Sequence, residues 1–359
     1  MAADSHQAPP GPGAAARKAR PITLALQGGG SHGAFTWGVL DALLEDGRLA
    51  LDAISGTSAG AMNAAVLASG WAAGGAQGAR DALASFWAAV GGVSGCWGML
   101  PKGDLPAWAY NRAQWPGFAA WEAWVSQWSP YELNPLNLDP LRRIVDAHVD
   151  LAALRGGPIK LFITATSVRT GQPRVFSGDS LSVDALLASA CLPLTSQTVV
   201  IDGEPLWDGG FSGNPALWPL IYGADPEDLL IVQINPLQRD GIPRTMAEIN
   251  DRLNEITFNA SLVAELRAIA FVQRLLKDKQ VDPRRYKDLR LHRIADEAGL
   301  APFDASSKLN TDPRLLRQLC ELGQQAARRW LAQELAHVGR SSSLDVAQVF
   351  LAERPGRPR

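Results

Sequence analysis

The chain predicts an α/β fold: a mainly parallel sheet layered by helices, followed by a helical extension. Three observations predict it. Short apolar runs at residues 22–26, 51–54, 159–165, 199–201 and 229–234 alternate with helical patterns. Two of these runs end in glycine-containing turns that open a helix, the connection typical of parallel sheets. At 359 residues, 47% hydrophobic and 19% charged, the chain can bury a substantial core.

The first run, Ile22-Thr23-Leu24-Ala25-Leu26, reads as a buried strand. It leads into Gln27-Gly28-Gly29-Gly30-Ser31-His32-Gly33, which opens a helix reaching about Glu45. Consecutive glycines leave backbone N–H groups bare and able to approach an anion. The second run, 51–54, gives way to a helix-forming run at 61–68, and between them stands Gly56-Thr57-Ser58-Ala59-Gly60, a G-x-S-x-G pattern. A serine at the apex of a sharp strand-to-helix turn projects its Oγ clear of the backbone. The following helix aims free N–H groups and a positive dipole end at it. If the first two strands are parallel neighbours, the glycine loop faces Ser58, and amides around Gly29 and Gly30 would form an oxyanion hole. Two other readings stay open: Ser58 as a helix cap, and Gly28, Gly30 and Gly33 as a dinucleotide G-x-G-x-x-G. Asp52 would be the ribose acid of the second reading, but it starts its apolar run rather than ending it.

Further along, residues 198–201 read as a strand, and Asp202-Gly203 as a tight turn that returns the chain to Asp208-Gly209-Gly210. An aspartate at a strand end with glycines beside it suits a catalytic base; a solvated loop acid is the competing reading. Residues 244–276 carry Ile249, Leu253, Ile256, Val263, Leu266, Ile269 and Leu276 near helical spacing. Packing on the body is expected there, with membrane adsorption as the secondary reading. Asp312-Pro313 starts another helix, the acid capping and the proline costing nothing at the first turn. Between 92 and 130 lies an insertion with Trp97, Trp108, Trp115, Trp121, Trp124 and Trp128, half of the chain's 12 tryptophans. A lid over an acyl pocket and an inserted structural subdomain both fit it.

Gly28 to Gly33, Gly56 to Gly60 and Asp208 to Gly210, in that order, resemble the patatin-like phospholipase family. Ala188-Ser189-Ala190-Cys191-Leu192-Pro193 is similar to the family's A-S-x-x-x-P, and Gly213-Asn214-Pro215 to its G-N-P. Leu194 to Gln197 stand where the family usually has an aromatic. The likeness spans about residues 21–240. It implies a three-layer patatin-like fold and a Ser-Asp dyad, with Ser58 as nucleophile, Asp208 as base and Gly28, Gly29 and Gly30 as the oxyanion hole. Gly33, Gly56, Gly60, Gly209 and Gly210 are implied as supporting positions. His32 falls where patatin-like proteins often carry a basic residue, and is expected to orient or support an anion, with the base role as its rival. His6, His148, His292 and His337 are expected to be surface or packing residues. The implied reaction is hydrolysis of lipid carboxylic esters through an acyl-enzyme, with no metal and no cofactor. Acyl transfer by the same dyad, or a non-catalytic binding module using the glycine loop, are the alternatives.

The organisation expected is a flexible tail over residues 1–20, a catalytic domain over 21–240, a mainly helical extension over 241–339 packing on it, and a loose tail over 340–359. The net charge of -2 argues against nucleic acid as a partner. Three cysteines without metal-ligand spacing point to a reducing compartment. The N-terminal basic cluster, Arg17-Lys18-Ala19-Arg20, follows small residues rather than preceding an apolar core, unlike a signal peptide. No apolar run approaches the about 18 residues of a spanning helix. A cytoplasmic protein is expected, with a lipid or other ester as substrate and contact with a membrane or lipid surface as a further expectation. The oligomeric state is left open.

Overall fold

The computed structural model describes residues 19–93, 105–239 and 241–351. Most of the expected N-terminal tail, Cys96 and Trp97, and the last eight residues fall outside the described residues.

The strands are β1 (Arg20–Leu26), β2 (Leu49–Thr57), β3 (Lys160–Ser167), β4 (Pro173–Phe176), β5 (Val199–Ile201), β6 (Glu204–Asp208), β7 (Asp228–Val232) and β8 (Arg290–Ile294). Among the described residues they form one sheet in the order β5-β6-β3-β2-β1-β7-β8, with β4 also on β3. The centre, β3-β2-β1-β7-β8, is parallel throughout. β4, β5 and β6 pair antiparallel. The β5–β6 hairpin turns at Asp202 and Gly203, both with positive φ (54° and 76°), as the dipeptide predicts.

The helices are α1 (Gly33–Asp46), α2 (Ala59–Gly92), α3 (Phe118–Val125), α4 (Pro130–Leu133), α5 (Pro140–His148) and α6 (Leu151–Gly156), then α7 (Val183–Ser189), α8 (Trp218–Gly223) and α9 (Met246–Lys277), and finally α10 (Glu297–Leu300), α11 (Pro313–Gln333) and α12 (Val346–Val349). Non-helical backbone at Gly74 and Gly75 kinks α2. The period of two along each central strand sorts side chains onto two faces. Leu24, Leu26, Leu230 and Val232 join Phe35, Val39, Leu67 and Leu319 in one core beneath α1, α2 and α11. Ala25, Leu229 and Ile231 join Leu220, Leu262 and Leu266 in a second core beneath α8 and α9. Two cores on opposite faces of one sheet make the three layers.

Close backbone contact fastens α11 into the first layer. A Cβ on Gly38 of α1 would lie 1.9 Å from Cys320 O, and one on Gly323 of α11 would lie 2.0 Å from Phe35 O. Asp312 caps α11 as expected, accepting from Arg314 N at 2.8 Å. The segment read as a helical extension thus supplies both a core helix and the edge strand β8. The segment read as loose beyond Gly339 also packs: Ser343 N and Leu344 N both bond Leu291 O at 3.0 Å, and Leu344, Val346 and Phe350 enter the second core. Its apolar residues fall in the short stretch from Leu344 to Leu351, too short to show a helical period.

His292, expected to be a surface or packing residue, is a packing residue with an acid as partner. It is fully buried, with Nε2 3.0 Å from Asp228 Oδ1 and Nδ1 3.0 Å from Ser343 Oγ. Asp228 begins β7, so this tie lies at the sheet end opposite the glycine loop. None of the described helices is long and apolar enough to cross a membrane.

Candidate active site

β1 and β2 are parallel neighbours, with Leu26 opposite Gly56. Both strand-to-helix turns therefore open side by side at the carboxyl edge of the sheet. Ser58 follows β2 directly and has φ 54° and ψ -123°, a left-handed conformation that costs an L-residue about 1–3 kcal/mol. Neighbours hold that strain in place: Ser58 N donates to Ser189 Oγ (2.9 Å), Ser189 Oγ to Thr164 O (2.6 Å), and Thr57 Oγ1 to Gly213 O (2.6 Å). The Ser58 hydroxyl caps no N–H of α2, which answers the helix-cap reading. The crossing needs bare backbone. A Cβ on Gly28 would stand 2.7 Å from Ser58 Cβ, and one on Gly60 would stand 2.2 Å from Leu26 O.

Asp208 arrives through the register of β3. Thr57 pairs with Thr164, and Asp208 pairs with the next residue, Ala165. β4 occupies the other edge at both positions, through Val175 and Arg174. β6 therefore continues the edge of β3 where β2 ends, and the last residue of each strand meets the other. The Gly209 Cβ position lies 2.9 Å from Thr57 Cγ2. Asp208 is fully buried; Oδ1 accepts from Gly210 N at 2.7 Å, and Oδ2 has no well-formed hydrogen bond. The Ser58 hydroxyl is near enough to Asp208 to draw its pKa down. Burial outweighs it and raises the Asp208 pKa from 3.8 to about 7, with Gly210 N–H, Ser58 and Lys308 opposing.

The glycine loop faces Ser58 and rests on a buried amide network. Gly28 N donates to Asn214 Oδ1 (2.6 Å), and Asn235 Nδ2 donates to Gly28 O (2.9 Å). Gln27 Oε1 accepts from Ile234 N and Asn235 N, both at 2.9 Å, while its Nε2 donates to Asn259 Oδ1 at 2.9 Å. The Gly28 N–H, expected as an oxyanion donor, is thus already committed. The N–H groups of Gly29 and Gly30 have no acceptor among the described residues. Asp52, needed by the dinucleotide reading, accepts from Asp225 N and faces Lys160. Five residues back from Thr57, it stands about 16 Å along the strand from the loop.

His32 does not reach toward a base role. Its Nε2 lies 2.7 Å from Ser307 Oγ, whose proton goes to Asp304 O at 2.7 Å, so Nε2 must be the donor. Burial, with Lys308 and Arg239 adding repulsion, lowers its pKa to about 3. It is a neutral imidazole tying the glycine loop to the 3-10 turn Ala305–Leu309.

The family model described as patatin-like phospholipase matches residues 24–221, more than half of the chain, and encloses every one of these groups except those from the C-terminal part. The chain belongs to the patatin-like phospholipase family. That family is one of lipid-ester hydrolases. No curated protein sequence matches this chain. Among solved structures, VipD from Legionella pneumophila is 16% identical, with a TM-score of 0.38, covering 83% of this chain and 66% of that one. ExoU, in its heterodimeric complex with SpcU from the type III secretion system of Pseudomonas aeruginosa, is 17% identical with a TM-score of 0.32, covering 93% of this chain and 58% of that one. The chain thus spans less than two thirds of the length of either.

Several residues of this patatin-like site have no warning in the sequence. Asn214 sits in the G-N-P segment, but nothing there announces a bond to Gly28. Gln27, Asn235 and Asn259 are polar residues that only the fold converges. Lys308 comes to the glycine loop from nearly 280 positions away. Its carbonyl oxygen lies 2.3 Å from where a Cβ on Gly30 would stand, and Gly30 has φ +58°.

Proposed function

We propose that this patatin-like chain is a serine acyl hydrolase that cleaves carboxylic esters of lipids, with Ser58 as nucleophile and Asp208 as base. The observation that carries the reading is the β3 register, which holds Thr57 and Asp208 on adjacent residues so that a strained serine and a buried carboxylate meet without an intervening histidine. As the Ser58 Oγ bonds to the ester carbonyl carbon, its proton passes to Asp208 Oδ2. The carbonyl oxygen takes the negative charge, and the N–H groups of Gly29 and Gly30 hold it, with the positive end of α2 adding to the field. Asp208 returns the proton to the leaving alkoxide, and the acyl group remains on Ser58. A water molecule then repeats the sequence: Asp208 accepts its proton, the acid leaves and Ser58 is restored.

The tryptophan-rich insertion supports a lipid as the source of the ester. Trp108, Trp121, Trp124 and Trp128 are each about half exposed, and Leu136 and Leu138, just after them, are more so. Large apolar side chains left in solvent in one stretch mark an interaction surface. The insertion and the residues just after it are bonded to two segments beside the site. Asn111 and Ala113 bond Pro302 O, Asp304 N and Ser306 Oγ, while Asn134 and Tyr131 bond Gln197 and Thr198.

Labelling with a fluorophosphonate probe, followed by identification of the modified residue, tests the reading. The adduct is expected on Ser58, and Ser58→Ala is expected to lose both labelling and ester turnover. Undiminished hydrolysis by that variant would overturn it.

A further inference from the structure

Lys308 is a cation without a carboxylate partner. Its Nζ donates to Asn235 Oδ1 at 2.8 Å and Asn254 Oδ1 at 2.6 Å, and among the described residues it forms no salt bridge. The residue is only partly covered, but its ammonium end is turned inward. A desolvated ammonium normally takes an acid as partner or gives up its proton. Here both acceptors are neutral amides, so the charge remains available to the surroundings.

Those surroundings are the two halves of the site. On one side, Asn235 passes the contact on, donating through Nδ2 to Gly28 O (2.9 Å) and Gln27 Oε1 (3.1 Å). On the other, Lys308 Nζ stands 5.6 Å from the centre of the Phe258 ring, whose Cε1 lies 2.3 Å from the Cβ position of Gly210. Gly210 N is the donor that holds Asp208 Oδ1.

We propose that Lys308 is the positioning cation of the Ser58 site: it keeps the Asp208 carboxylate charged and locks the glycine loop through Asn235. The inference rests on the Ser58–Asp208 reading. A carboxylate buried as deeply as Asp208 favours its protonated form and is then no base; a fixed positive charge across Phe258 opposes that. The other charges facing Lys308 do not do the same work. Arg239 and Arg252 both bind Glu255, at 2.8 Å and 3.0 Å, so its carboxylate is spent on them rather than on Lys308. Asp251, on α9, accepts from Ala305 N, and burial beside Asp304 raises its pKa to about 6. Below that pH it loses its attraction for Lys308. His32, on the loop, is neutral. Burial lowers the Lys308 pKa to about 8, with Glu255 and Asp251 opposing, so the cation itself discharges in a mildly alkaline range.

The test is kcat/KM against pH for p-nitrophenyl butyrate with wild type, Lys308→Met and Lys308→Arg, each checked for folding by thermal unfolding. Wild type is expected to show an acid limb from Asp208 and an alkaline limb near pH 8 from Lys308. Lys308→Met is expected to lower kcat about 10- to 100-fold with little change in KM. Its alkaline limb disappears, and its acid limb moves to higher pH because the carboxylate has lost its cation. Lys308→Arg is expected to keep the acid limb and carry the alkaline limb out of range, since a guanidinium stays charged. A folded Lys308→Met whose two limbs stay where wild type has them overturns the inference, because a purely structural tie would scale the profile without moving it. Should Lys308→Met not fold, the comparison of wild type with Lys308→Arg decides, and identical alkaline limbs overturn it. Fluorophosphonate labelling of the same proteins separates the two readings: an adduct on Ser58 with unmoved limbs rejects Lys308 alone, whereas turnover by Ser58→Ala rejects the dyad itself.

Discussion

Thr57 and Asp208 are held by consecutive residues of one strand, Thr57 opposite Thr164 and Asp208 opposite Ala165. The parallel strand β2 and the antiparallel strand β6 meet end to end along the same edge of β3, which brings the residue after Thr57 against the last residue of β6. A histidine relay serves to bridge an acid and a serine that are apart; in the proposed dyad the sheet itself would close that distance. The geometry also explains why the acid is so deeply buried. It is a strand residue inside the sheet, and its charge is opposed by burial.

Replacement of the base separates activity from stability. Asp208→Asn keeps an oxygen to accept from Gly210 N but cannot take the Ser58 proton, so kcat is expected to fall about 100-fold or more. The folded pKa, about 7, is raised above the ordinary 3.8. Folded protein therefore holds a proton that unfolded protein has released, and the stability due to the protonated acid is complete below pH 3.8 and lost as pH rises to about 7. At pH 8 Asp208→Asn should be more stable than wild type by roughly 2–4 kcal/mol, and at pH 4 by far less. Urea unfolding at the two pH values checks this, and a gain that does not depend on pH would mean that Asp208 is not the titrating group.

Activity should follow the same ionisation in the opposite sense. Below the Asp208 pKa of about 7, kcat/KM on a soluble ester is expected to fall about tenfold per pH unit. His32→Ala should cost less activity than Asp208→Asn and should leave the acid limb in place, because the imidazole is neutral throughout and faces Ser307. Loss of the acid limb in the histidine variant would reassign the base.

The amide beneath the glycine loop gives a third test. Asn214→Ala removes the acceptor of Gly28 N (2.6 Å) and the donor to Phe258 O (3.1 Å) in a fully buried place. Each stranded group costs about 1–3 kcal/mol, so a stability loss of roughly 2–5 kcal/mol is expected. With the Gly28 N–H released, Gly29 and Gly30 lose their aim and kcat should drop at least about tenfold. Wild-type kcat in a folded Asn214→Ala would show that the loop does not depend on this bond.

Much of this was legible in the sequence because it is local. Gly28 to Gly33, Gly56 to Gly60 and Asp202-Gly203 each encode a turn within a few residues, and the strands beside them are short apolar runs. β4 and β8 were not seen: Pro173–Phe176 is too short to show a period, and in Arg290–Ile294 the buried His292 breaks the apolar pattern. The commitment of the Gly28 N–H cannot be read from the sequence, since only the fold brings Asn214 within 2.6 Å of it. Lys308 was invisible for the same reason. An isolated lysine in Ala305–Leu309 reads as a solvated turn residue until the turn is packed against Gly30.

The exposed tryptophans supply the last prediction. Trp121 and Trp124, on α3, are 51% and 58% exposed, with Phe118 5.5 Å from Trp121 and Trp128 6.4 Å from Trp124, ring centre to ring centre. Truncating half-exposed rings should cost little stability, of the order of 1 kcal/mol or less, so function can be read without unfolding. If these rings meet the lipid, Trp121→Ala and Trp124→Ala should lower turnover of long-chain esters in vesicles about tenfold or more while leaving a short soluble ester within about twofold, since the loss is one of apolar contact at the surface. Vesicle sedimentation should show the same loss in binding when Ser58→Ala, which cannot turn over, carries either substitution. Equal loss on both substrates with unchanged sedimentation would assign the rings to the support of the site rather than to the lipid surface.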